Sequence, residues 1–151
     1  MKELKGTAAV EVAATPADCI ALLEAVDRYP EWYPEVVRQV DVTERDAGGR
    51  PSKANARLHV VAGPLTRDFN LQMAVVSEPP GTVKLVRVSH GASDQEQFEV
   101  VWRVTEAVRT RIDVALDANL SVPRFLPIGG IGDGLAQGFV GAAARALERS
   151  G

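Results

Sequence analysis

The chain has 151 residues, 46% of them hydrophobic and 25% charged, and a net charge of −3. Those proportions belong to a globular protein rather than a disordered one, and this length fits one domain spanning 1–151. The acidic balance and the lack of a Lys/Arg cluster exclude nucleic acid held by counterion release and argue against an anionic membrane surface.

Residues 4–14 alternate polar and apolar around Val10 and Val12, the pattern of a half-buried strand. The alternation starts too early for a signal peptide's apolar stretch, so a cytoplasmic, reducing setting is expected. Thr15-Pro16 then opens a helix: Thr15 can cap it, Pro16 suits the first turn, and Asp18 follows three positions after the cap. Cys19, Leu22, Leu23 and Val26 share one face. This helix should stop near Asp27, because Tyr29 precedes Pro30 and is biased out of the α region. Tyr29-Pro30-Glu31-Trp32-Tyr33-Pro34 then reads as an aromatic linker or a second helix of one or two turns.

From Val36 onward, short segments rich in Val, Leu, Thr and Arg alternate with turn signals. Strands are expected near 36–45, 53–62, 66–77, 82–89, 96–105 and 110–120. The breaks, such as Gly63-Pro64 and Pro79-Pro80-Gly81, are too short for parallel crossovers, so the sheet must be an antiparallel meander. A proline-bounded loop covers Ser121 to Pro127, and a last helix is expected over 128–149. In it Ile128, Ile131, Leu135, Phe139 and Ala142 recur at helical spacing, and Asp133, Arg145 and Arg149 suit the dipole. The class is α+β: a curved seven-stranded antiparallel sheet wrapping a long C-terminal helix. A twisted sheet gripping a helix encloses space between them.

Two strand rows point into that space. Phe69, Leu71, Met73 and Val75 share one parity, as do Phe98, Val100, Trp102 and Val104. Phe69, Leu71, Met73, Phe98 and Trp102 are therefore candidates for contact with a ligand, with ordinary core packing as the alternative. Gly134, Gly138 and Gly141 form a smooth stripe on the last helix, in a segment that also holds Gly129, Gly130 and Gly132. Each helical glycine costs roughly 1 kcal/mol relative to alanine, so the density needs a reason. The expectation is that Gly134 and Gly138 face the sheet and leave volume that a ligand occupies.

No catalytic or metal-binding constellation emerges. His59 and His90 are isolated from other ligand types, so no metal site and no cofactor is expected. Cys19 sits on an apolar helix face as a small hydrophobe, and a single cysteine excludes an internal disulfide. Asp113 and Asp117 alternate with apolar residues as on a solvated strand face. Arg57, Arg67, Arg87 and Arg103 are spread over the strands; one or two facing inward would be able to orient a carbonyl or carboxylate.

The element order and the stretch Asp27-Arg28-Tyr29-Pro30-Glu31-Trp32-Tyr33-Pro34-Glu35-Val36 resemble the START-like superfamily of helix-grip folds, specifically its polyketide cyclase/dehydrase and coenzyme Q-binding group. The resemblance implies a cavity for hydrophobic small molecules between sheet and last helix. It places Trp32 and Tyr33 in the wall or entrance; a packing staple is the other role open to them. The function it implies is binding or carriage of a polyketide, a quinone or a lipid-like molecule. Alternatives are a polyketide aromatase/cyclase working in the same cavity and an interaction module of the ribosome-associated toxin type. Whether chemistry is catalysed is left open, as is the oligomeric state, and no integral membrane segment is expected: 126–147 is interrupted by Asp133, Gln137 and Arg145.

Overall fold

The computed structural model describes residues 2–62, 65–89, 91, 93, 96–120 and 131–150. Strand β1 (Lys2–Val12) leads into α1 (Pro16–Glu24), a 3-10 turn (Val26–Arg28) and α2 (Tyr29–Trp32). Then come β2 (Val37–Arg45), β3 (Pro51–Ala62), β4 (Leu65–Glu78), β5 (Thr82–Arg87), β6 (Gln97–Thr105), β7 (Thr110–Leu120) and α3 (Ile131–Ser150). The expected loop from Ser121 to Pro127, the expected helix start at 128 with Gly129 and Gly130, and His90 lie outside the described residues.

The start of α1 follows from its cap. Thr15 Oγ1 accepts the Asp18 N–H at 3.2 Å, and Pro16 fills a first-turn position that needs no donor. The helix ends sooner than expected, because Ala25 leaves helical geometry and the chain tightens into the 3-10 turn. Tyr29 is helical at φ −54° and ψ −39° despite preceding Pro30. Its side chain explains the exception: the ring is buried against Trp32 at 4.7 Å, and the hydroxyl donates to the Leu23 carbonyl at 2.6 Å. Tertiary packing here outweighs the steric bias before proline. The aromatic stretch is therefore a one-turn helix, not a linker.

The sheet is a single antiparallel array in the order β1-β7-β6-β5-β4-β3-β2. Period-2 alternation sets its two faces: Ile112, Val114 and Leu116 are buried, while Arg111 and Asp113 pair at 2.9 Å on the other side. His59 belongs to that outer face, with Nδ1 2.7 Å from Asp68 Oδ1. Helix α3 lies over the inner face along β1 and β7. The contact is backbone on backbone: a Cβ on Gly6 would collide with the Gly132 carbonyl, and one on Gly132 with the Lys5 carbonyl. Asp133 Oδ1 accepts the Thr7 N–H at 3.2 Å, satisfying a donor on the sheet's edge strand. Ala136, Ala142 and Ala143 complete the buried face of the helix.

Candidate functional site

On the other side of α3 the sheet curls away and leaves an apolar cavity. Ala54, Ala56 and Leu58 of β3, Leu71 and Met73 of β4, and Phe98 of β6 form its floor. Val26 and Tyr29 close it from the short helices, and Phe139 is the one α3 residue that reaches it. Small residues on β3 face a single aromatic on the helix, and the space lies between them. In this conformation the room open to the centre of a water molecule is about 40 Å³. Pockets that hold organic ligands run to roughly 300–1,000 Å³, so occupancy requires widening.

The lining carries one polar atom of consequence, the Tyr29 hydroxyl, and it is already engaged with the Leu23 carbonyl. Burial pushes that phenol far above its ordinary range; the nearby Trp102 indole N–H opposes the shift by less and completes no hydrogen bond of its own. No charged side chain lines the cavity among the described residues. Arg67 lies over the Phe69 ring at 5.1 Å, and Arg87, which stands opposite Met73 in the ladder, donates to the Glu96 carbonyl at 2.9 Å. Arg57 and Arg103 are exposed.

Of the nine expected ligand contacts, Leu71, Met73 and Phe98 line this cavity, and the other six do not. Phe69 is half-buried beside it. Trp102 is fully buried and edge-on to Phe139 at 5.9 Å, placed to support the wall rather than to form it. Trp32 instead lines an open groove of about 860 Å³ between α1, α2 and the end of α3, bordered by Leu22, Leu147, Asp18, Glu31 and Glu148. Tyr33 lies edge-on to Phe139 at 4.7 Å.

The glycine stripe corrects the expectation drawn from it. Gly134 is exposed, and a Cβ there would meet nothing within 4 Å among the described residues. Gly138 does border another group, but the group is Tyr33: a Cβ would overlap its hydroxyl and stand 3.0 Å from Cζ. The physical reason is rotational. The tight face of α3 is set by Gly132 against Gly6, and residues 134 and 138 fall well away from it at 3.6 residues per turn. Sequence reasoning also passed over Tyr29, Ala54 and Phe139 as lining residues. One signal was available: Phe139 is the single aromatic of α3.

Among the described residues, no group of three or more His, Cys, Asp or Glu side chains is placed to hold a metal ion. Cys19 is buried, which raises its thiol pKa and keeps it protonated. No helix among these residues is long and apolar enough to cross a membrane.

The fold is shared widely among solved structures. A START superfamily protein from Mycobacterium smegmatis superposes with a TM-score of 0.73 at 20% identity, covering 98% of this chain and 99% of that one. A Thermus thermophilus protein gives 0.68 at 16% identity over 97% and 99%. The Zhui aromatase/cyclase from a Streptomyces species gives 0.63 at 16% identity over 98% and 95%. At these identities the likeness speaks for the fold. No curated protein matches the sequence significantly. The profile of one family, described as polyketide cyclase/dehydrase and lipid transport, matches residues 12–148. The chain belongs to that family, and its curved seven-stranded sheet gripping α3 is a START-like helix-grip fold.

Proposed function

We propose that the protein binds or carries a hydrophobic small molecule, such as a polyketide, a quinone or a lipid-like compound, in the cavity between α3 and strands β3 to β6. The observation that carries this reading is the lining itself: apolar throughout, with its one hydroxyl already spent on the Leu23 carbonyl. Burying apolar ligand surface there contributes about 25 cal/mol per Å² before binding costs are subtracted. A buried polar substituent that found no partner in this lining would cost about 1–3 kcal/mol. Native mass spectrometry of freshly purified protein, followed by organic extraction, tests the reading. The expected result is a retained apolar molecule or saturable uptake of an apolar fluorescent probe. Protein that is empty and takes up no probe defeats it.

The second reading is a polyketide aromatase/cyclase in the same cavity. It draws on Arg87, which stands on the inner row of β5 across from the lining residue Met73; its guanidinium lies outside the lining, on the Glu96 carbonyl, and would have to leave that carbonyl to reach a substrate. A guanidinium there would polarise a carbonyl during ring closure. Under this reading Arg87→Gln abolishes cyclisation of a linear poly-ketone thioester while leaving its binding within a few-fold.

A further inference from the structure

The cavity is too small for the ligand that its lining suits, and its α3 wall is a single ring packed against two others. Among the described residues the α3 wall is Phe139, and its ring packs edge-on with both Tyr33 and Trp102. Trp102 is fully buried on a central strand. Tyr33 is different. Its backbone is fixed, donating to the Tyr29 carbonyl at 2.8 Å and accepting from the Val37 N–H at 2.9 Å. Its hydroxyl, by contrast, rests over Gly138, in a space that any side chain at 138 would take. Any departure of the hydroxyl from this seat is thus a rotation of the side chain on a backbone that stays in place. Mid-helix glycine at 138 costs stability, and seating this hydroxyl is what the position does in the structure.

We propose that Tyr33 seated on Gly138 is a latch that keeps the cavity closed: when the ring leaves its seat, Phe139 swings into the vacated space and the cavity widens to ligand size. This rests on the reading of the cavity as a hydrophobic ligand site and specifies how that site is regulated. Observed affinity is then the intrinsic affinity reduced by the fraction of molecules with the latch open, so loosening the latch tightens binding. A mere packing contact predicts the opposite, because its loss disturbs the site's wall.

The test follows association rate and affinity for the probe N-phenylnaphthylamine, with thermal unfolding measured in parallel. Tyr33→Ala should bind several-fold faster and tighter than the parent even though its melting temperature falls. Gly138→Ala, which unseats the hydroxyl but keeps both rings, should shift both quantities in the same direction by less. In a Phe139→Ala background, where the gate itself is gone, Tyr33→Ala should add nothing further. Unchanged or weaker binding in Tyr33→Ala and Gly138→Ala, with the parent binding normally, overturns the latch and spares the ligand site. If neither the parent nor Phe139→Ala takes up probe, the ligand-site reading fails and the latch with it.

Discussion

Helix α3 meets the sheet in two ways, and the contrast separates a close-packed side from the side where a ligand is proposed to bind. Over β1 and β7 the helix backbone lies directly on the strand backbone, with Gly6 and Gly132 removing every side-chain atom between them. Toward β3 and β4, among the described residues, the cavity is bridged from the helix by the Phe139 ring, across space from Ala54 and Ala56. The closed side fixes the helix in position through close contact and the Thr7–Asp133 hydrogen bond. The open side then meets the helix through one aromatic ring and leaves space between that ring and the strands. A glycine in α3 thus means opposite things at different positions: contact at 132, solvent at 134, a seat for Tyr33 at 138.

The largest effect should come from the closed side. Gly132→Ala gains roughly 1 kcal/mol of helix propensity, but its Cβ collides with the Lys5 carbonyl and forces helix and strand apart. Overpacking of this kind costs about 1–3 kcal/mol and more where backbone must move, so a net loss of about 2 kcal/mol and a melting temperature lower by roughly 4–8 °C are expected. Gly134→Ala, two residues away and exposed, should raise stability by up to about 1 kcal/mol. Thermal unfolding of the pair decides the matter, and equal effects at the two positions would erase the distinction between the faces.

A smaller effect on stability, with a larger one on binding, is expected from filling each side with the same side chain. Ala54→Leu enters the cavity, so stability should change by less than about 1 kcal/mol while probe affinity falls at least about ten-fold. Ala118→Leu enters the fully buried inner row of β7, outside the cavity lining, and should cost about 1–3 kcal/mol while changing probe affinity much less than Ala54→Leu does. Denaturant midpoints and probe titrations on both variants give the comparison. A cavity that is simply loose core would make the two alike.

The architecture was largely legible because its signals are local. Two-residue alternation, turn residues and the Thr15 cap each act within a few positions, and the expected strand bounds agree with the observed ones to within about two residues. The inner rows of β4 and β6 followed from the same parity, which is how Leu71, Met73 and Phe98 were placed on the face that lines the cavity. What the sequence hid depends on long-range placement. Whether Trp32 faces the cavity or the outer groove is set by how α2 docks, and a one-turn helix carries too few residues to show a periodicity. The glycine stripe was visible, but the face it belonged to was fixed by Gly6, 126 positions before Gly132 in the chain. Ala54 was hidden for another reason: a lining residue that works by being small leaves no mark in a pattern of large ones.

The smallest effect is an alkaline titration, which asks whether the helical wall of the open side stays closed to solvent. The chain has two tyrosines, Tyr29 and Tyr33, and both stand in that wall or against it. Burial raises both phenols above the ordinary value of 10; for Tyr33, Glu35 adds to the rise and Arg145 opposes it. The fold therefore favours the protonated forms, so this contribution to stability is complete below pH about 10 and is lost as pH climbs above it. Absorbance of phenolate should lag behind that of free tyrosine. Tyr33, the less enclosed of the two, should ionise first, in molecules that are still folded, and Tyr29 only as the protein unfolds. Ionising Tyr33 is also a way to unseat it from Gly138 without mutation, so probe binding should tighten over the same pH interval before structure is lost. Tyr33→Phe should delete the early absorbance step and that rise in affinity together. If both phenols titrate near pH 10 in folded protein, the wall admits water freely, and the sharp division between a closed and an open side of α3 does not hold.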